Sequence, residues 1–278
     1  MSLSGWGLLA PAGAAERPGR AFVSGRRLLA PAAVVVALLG VWELYVDLGG
    51  VDPLVLPSPH AIASALYTDR GTLWNNFVVT AKEVLLGIAV GVLVALVLAV
   101  GIHFSRTLRH AVYPLLVASQ AIPIVMVAPV FLIWLGFGLV PKLAIIALVT
   151  FFPVVVTTMA ALETVDPELL KLLRTFDASR VQAFRRVELP SALPGVFTGA
   201  KLAAVYSVIG AVFAEQSGSS AGLGYLFTID NSQFLAAEAF AAVAVLSIFA
   251  IALFAILAVA ERRLLPWAYQ SPKGTDNA

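Results

Sequence analysis

From Leu28 onward the chain runs in long apolar stretches separated by short polar breaks. Six stretches reach the ~20 residues that an α-helix needs to cross the hydrocarbon core of a bilayer. They lie near 28–48, 77–102, 112–135, 140–162, 193–216 and 238–265. The third and fourth are parted only by Gly-Phe-Gly-Leu-Val-Pro-Lys, where Gly136, Gly138 and Pro141 act as breakers, so a tight hairpin is expected between them. The pattern predicts an all-α integral membrane protein with six transmembrane helices.

Composition supports this class. The chain is 60% hydrophobic and 12% charged, where soluble domains carry about 25% charged residues. Its 18 basic and 16 acidic residues nearly balance, so nothing points to a nucleic acid partner. There is no cysteine, which removes disulfides, thiolate catalysis and cysteine metal sites. The spacing of His60, His103 and His110 fits no metal motif, and no metal site is expected. Residues 1–27, rich in Ala, Gly, Pro and Arg, are read as a disordered cytoplasmic tail. The apolar run after Arg27 continues through Trp42, Leu44, Tyr45 and Leu48, too long for a cleaved signal sequence, so it is read as a retained first span.

Lys and Arg set the orientation. Arg17, Arg20, Arg26 and Arg27 precede the first span. Arg106 and Arg109 lie between the second and third, five basic residues from Lys171 to Arg186 lie between the fourth and fifth, and Arg262, Arg263 and Lys273 follow the sixth. With six spans these all fall on one side, while the other side has only Arg70 and Lys142. A multi-pass protein of the plasma or inner membrane with both termini cytoplasmic is therefore expected.

The basic segment between the fourth and fifth spans has its own local order. Asp166-Pro167-Glu168 is a helix start, followed by an apolar stripe of Leu169, Leu172, Leu173 and Phe176. Phe-Asp-Ala-Ser breaks it. Ser179 and Gln182 fit a capping box for a second short helix, with Val181, Phe184 and Val187 on one face and Arg180, Arg185 and Arg186 more to the other. Pro190 is expected to end that helix, because proline disfavours helical geometry in the residue before it. Two uses fit this pattern: a basic loop lying on anionic lipid head groups, or a docking surface for another protein.

This segment resembles the cytoplasmic EAA loop of ABC importer permeases. Val187-Glu188-Leu189-Pro190 stands at the motif's tail, Asp177 stands where the motif has Gly, and Lys171-Leu172-Leu173 replaces Glu-Ala-Ala. The surrounding RTFDASRVQAFRRVELPSALP is similar to the nitrate, sulfonate and taurine branch. So are WELYVDLGGVDPLVLPSP, IPIVMVAPVFLIWLGFG, FFPVVVTTMAALETVDPELL and GLGYL, in the same order. GSSAGLGYL and ERRLLPW are most similar to members handling hydroxymethylpyrimidine or other vitamin precursors.

The resemblance implies a type I permease fold over 28–265, with a coupling-helix loop at 163–190 and a cytoplasmic tail at 266–278. It implies ATPase contact at Leu173, Phe176, Asp177, Ala178, Ser179, Arg180, Phe184, Arg185, Leu189 and Pro190. It also implies cytoplasmic ATPase subunits that bind ATP and Mg, an extracytoplasmic binding protein, and a second permease copy making a homodimer, all in membrane lipid. The chain itself would hold no cofactor and catalyse nothing.

Its residues agree with that last point. No phosphate loop of the form GxxxxGK[ST] occurs. Gly222 to Leu226 reads as an external turn before a re-entrant or interfacial helix, and Ser217, Ser219 and Ser220 have no neighbouring histidine. Charges beside spans, such as Lys82 and Glu83 at the outer start of the second, read as snorkelling. Ser119, Gln120, Tyr206 and Ser207 are mid-span polar groups that suit a path for a small polar solute, or hydrogen bonds between helices. A secondary carrier or membrane scaffold is the competing class.

Overall fold

The computed structural model describes residues 25–269. The expected N-terminal tail before Gly25, and the C-terminal tail beyond Tyr269, lie outside those residues. Two units are described separately: the segment through Gly50, and Val51 onward. The first contains α1 (Gly25–Gly49), a 25-residue helix with apolar side chains exposed along most of its length.

The second unit is built on three long helices, α3 (Arg70–Phe104), α6 (Leu139–Glu163) and α9 (Leu189–Gly218). Ahead of α3 lies α2 (Pro59–Thr68), which the apolar pattern did not predict; Ser58 caps it and Pro59 opens it. At 35 residues α3 extends about 52 Å, well beyond the ~30 Å hydrocarbon layer. No strand occurs among the described residues.

Small residues let α6 pack closely between its neighbours. Gly87 of α3 faces Ile146, and Gly91 faces Thr150. On the other side, a Cβ added at Gly199 of α9 would come 2.9 Å from the Val154 Cα. The α3–α6 contacts keep one spacing along the helices: Glu83 with Lys142, 59 residues on, then Gly87 with Ile146 and Gly91 with Thr150. A constant offset means that α3 and α6 run in the same direction. The chain between them must therefore return across the layer.

That return is α4 (Arg106–Ser119) followed by α5 (Ile124–Leu135), bent by 104° at their junction. The sequence suggested one unbroken span over 112–135. The break is local chemistry that hydropathy does not register. Gln120, Ala121 and Ile122 donate to carbonyls three residues back, which tightens the helix end, and Pro123 has no N–H and an extended ψ of 123°. Gly136 (φ 78°) and Gly138 (φ 132°) then make the turn into α6, as the hairpin signal indicated. After α9 come α10 (Leu223–Ser232) and α11 (Ala236–Leu264), and a 3₁₀ turn at Pro266–Tyr269. Lys201 near the start of α9 meets Glu261 near the end of α11 at 2.7 Å, so these two helices are antiparallel.

Candidate functional site

At the end of α6 the chain leaves the apolar layer and builds a helical hairpin. In α7 (Pro167–Thr175) the Asp166 side chain accepts from Glu168 N–H at 2.8 Å, with Pro167 at the first helical position. The helix ends in two crossed bonds, Ala178 N–H to Leu173 O at 3.1 Å and Asp177 N–H to Arg174 O at 3.1 Å. This is the Schellman arrangement, which needs a left-handed residue after the cap. Asp177 supplies it with φ 56°; Asp tolerates that region better than most side chains.

Ser179 then forms the expected capping box. Its hydroxyl accepts from Gln182 N–H at 3.3 Å, and its own N–H donates to Gln182 Oε1 at 2.8 Å. From there α8 (Arg180–Ala183) leads through a π-helical turn, Phe184–Glu188, straight into α9. The expected stop at Pro190 does not occur, and Arg180 to Gly218 is one run of 39 residues. Leu189 before the proline is fully helical (φ −63°, ψ −50°). The π turn, closed by Leu189 N–H to Phe184 O, is wider than an α turn and relieves the clash that a proline ring makes with the preceding turn.

The hairpin is bolted to the end of α3 by one face. Phe184 is 8% exposed and packs with Leu162 and Ala192, and its ring lies 5.0 Å from Phe104 and 5.6 Å from His103. Arg180 sets its guanidinium 5.0 Å over the Phe104 ring and donates to His103 O at 3.2 Å. His103 Nε2 and Glu188 Oε2 are 2.7 Å apart, and Arg109 pairs with Glu163. The opposite face is open. No residue of α7 is buried; Leu172, Val181 and Phe176 are exposed, Phe176 by 74%, as are Ser179, Arg185, Arg186 and Leu189. Leu173, Ala178 and Pro190 are half-buried. Of the two phenylalanines, then, Phe184 anchors the hairpin internally and Phe176 stays exposed.

The four mid-span polar residues fall into two separate pairs. Ser119 and Gln120 are exposed at the elbow between α4 and α5, where Ser119 donates to Leu116 O at 2.7 Å. On α9, Tyr206 is 44% exposed, while Ser207 is fully buried and donates to Ala204 O at 2.8 Å. No hydrogen bond among the described residues joins the two pairs.

A second polar cluster was not foreseen. Glu83 does not snorkel: it is 4% exposed and pairs with Lys142 at 2.6 Å. Lys142 also donates to Ser219 at 2.7 Å. Glu215, 1% exposed, accepts from Thr80 at 2.7 Å and from Gly224 N–H at 2.6 Å. Opposite charges placed within separate apolar runs were the available signal, since a buried charge in such a setting requires a partner. Close by, Asp230 of α10 shares a small hollow with Asp69 and Glu238. Burial, helped by those two carboxylates, raises its carboxyl above the usual range.

The described residues thus form an all-helical chain with long apolar helices and an open, capped hairpin between α6 and α9. Residues 87–268 match the binding-protein-dependent transport system inner membrane component, and the chain belongs to that family. It is 33% identical over 240 residues to the formylaminopyrimidine transport permease protein of Halalkalibacterium halodurans, covering 86% of this chain and 96% of that one. It is 34% identical over 235 residues to the riboflavin transport system permease protein of Chloroflexus aurantiacus, covering 84% and 88%. A methionine ABC transporter solved in inward-facing conformations shares the fold, with a TM-score of 0.53 at 20% identity over 74% of this chain and 98% of that one. The protein is thus a non-catalytic, multi-pass membrane subunit of an ABC importer with the type I permease fold, a family that works with an ATPase and a binding protein.

Proposed function

We propose that the hairpin over 163–190 is the ATPase docking surface of this importer. The observation that carries it is the division of its two faces. Phe184, Arg180 and Glu188 tie one face to α3, while Leu172, Phe176 and Val181, flanked by Arg185 and Arg186, stay exposed on the other. A loop serving only as a topological charge signal has no need of two capped helices with an uncovered apolar surface. An ATPase groove with apolar walls and an acidic rim fits it, and that subunit carries ATP and Mg. Two copies of this chain form the transport path as a homodimer.

The excess of Lys and Arg in this hairpin supports a cytoplasmic position for it, and if the bent pair α4–α5 counts as one of six crossings, both termini lie on the same side. One experiment tests docking and side together. Phe176→Asp should abolish co-purification of the ATPase with the permease while leaving its level in the membrane unchanged, because Phe176 is not part of the packed interior. Full ATPase recovery with Phe176→Asp overturns the assignment.

The solute is a small polar nitrogen heterocycle of the vitamin-precursor kind, delivered by the extracytoplasmic binding protein. Support comes from the names of the two relatives and from GSSAGLGYL and ERRLLPW. Gln120 and Ser119 at the elbow, with Tyr206 on α9, are the polar groups assigned to its path. A structural hydrogen bond between membrane helices is worth about 0.6 kcal/mol, so Gln120→Leu should leave the folded complex intact. Uptake of labelled formylaminopyrimidine should fall with basal ATP hydrolysis unchanged. Uptake at the wild-type rate removes Gln120 from the path.

A further inference from the structure

The far end of α9 carries groups that the docking reading does not use. The turn after Gly218 leads into α10, and three successive backbone N–H groups there each end on a side chain from another helix. Gly222 N–H donates to Asn76 Oδ1 at 2.8 Å, Leu223 N–H to Thr80 Oγ1 at 2.8 Å, and Gly224 N–H to Glu215 Oε2 at 2.6 Å. Thr80 in turn donates to Glu215 Oε1 at 2.7 Å. Helix starts leave N–H groups without partners, and these are usually capped by a neighbouring Ser or Asp. Here the caps come from α3 and from the last turns of α9. The fit is close: Gly222 has φ 117°, and a Cβ at that position would overlap the Glu215 carboxylate. Lys142 holds the remainder of the turn through Ser219, whose hydroxyl donates to Ala221 O at 2.5 Å.

We propose that Glu215 is a positioning residue for coupling, which makes α10 move as one body with α9. The helical run from Arg180 to Gly218 is about 58 Å long. It starts in the hairpin and ends, three residues after Glu215, on the opposite face. A displacement of the hairpin is therefore delivered to α10 through Glu215, and contact by the binding protein on the α10 side returns by the same route. Glu215 accepts on both oxygens; Gln keeps one acceptor for Gly224 N–H but turns its NH2 toward the Thr80 hydroxyl, which must then accept it and donate only to Asn76 O at 3.3 Å, so the short bond from Thr80 at 2.7 Å is reversed and weakened. The inference rests on the assignment of the hairpin as the ATPase site.

The test uses the complete complex of permease, ATPase and binding protein in proteoliposomes, with the binding protein as it purifies. ATP hydrolysis is measured without and with that protein. Glu215→Gln should keep basal hydrolysis within about twofold and lose about tenfold of the stimulation, the scale of a coupling defect. Thr80→Ser, which keeps the hydroxyl, should behave as wild type; Thr80→Val should follow Glu215→Gln. Should Glu215→Gln fail to assemble, the contrast between the two Thr80 variants decides. Normal stimulation in Thr80→Val overturns the proposal, and so does an equal fall of basal and stimulated rates. Failure of the docking reading would look different, since Phe176→Asp would then still retain the ATPase while the Thr80 and Glu215 variants behaved as described.

Discussion

Lys142→Met should strip the complex of most of its stability, although the new side chain is apolar and near the old one in length. Lys142 and Glu83 are 7% and 4% exposed and 2.6 Å apart. Removing one partner of a buried pair typically costs about 3–5 kcal/mol, because the other charge is left uncompensated. Glu83 has no reserve here: its second oxygen is buried and has no hydrogen-bond partner among the described residues. Glu83→Leu combined with Lys142→Met should recover much of the loss, since apolar replacement of a whole pair is often neutral or better. Thermal unfolding of the detergent-solubilised complex reads both. A single variant that melts with the wild type, or a double variant worse than the single, contradicts this account of the pair.

Phe184→Asp should have the next largest effect, confined to the hairpin. Truncating a buried phenylalanine costs about 3–5 kcal/mol, and this change also puts a carboxylate against the Phe104 and His103 rings and near Glu188. The membrane-spanning helices should still insert. The hairpin should come away from the end of α3, so ATP-dependent uptake should fall by at least about a hundredfold, the equivalent of roughly 3 kcal/mol. Protease should then cut between residues 163 and 190 much faster than in the wild type. Phe176→Asp is the control: it should lose the ATPase without the new cleavage. Equal protease resistance in both variants would mean that Phe184 does not anchor the hairpin.

The parts of the molecule that the sequence made legible are those governed by local rules. Length and hydropathy located the long helices, and Asp166-Pro167, Ser179 with Gln182, and Asp177 at a motif glycine located the caps of the hairpin, because each acts on its immediate neighbours. Pro190 was misleading, since the π turn that accommodates it depends on how Phe184 and Glu188 are held by α3. Hydropathy did not show the elbow at Pro123, because Ile122 and Ile124 are as apolar as the helices they join. The cluster of Glu83, Lys142 and Glu215 joins residues 59 or more positions apart, and no single stretch reveals such a pairing. Which face of the hairpin is covered, and so which phenylalanine is free, is likewise tertiary information.

The pairing of α3 with α6 also limits how the two can move. Gly87, Gly91, Ala95 and Ala99 fall four residues apart, are all buried, and form a shallow channel along α3. Such a channel holds α6 laterally, and its change from glycine to alanine also resists sliding along the axis. A shift of one turn, about 5.4 Å, would set Thr150 against Ala95 in place of Gly91, and the extra methyl has no room there, because even a Cβ at Gly91 would overlap the Thr150 hydroxyl. The ion pair at the head of the channel adds a second restraint, because Lys142 carried one turn away would leave Glu83 with no countercharge. Axial sliding of α6 on α3 is thus opposed by shape along the channel and by charge at its head, and the two select the same register.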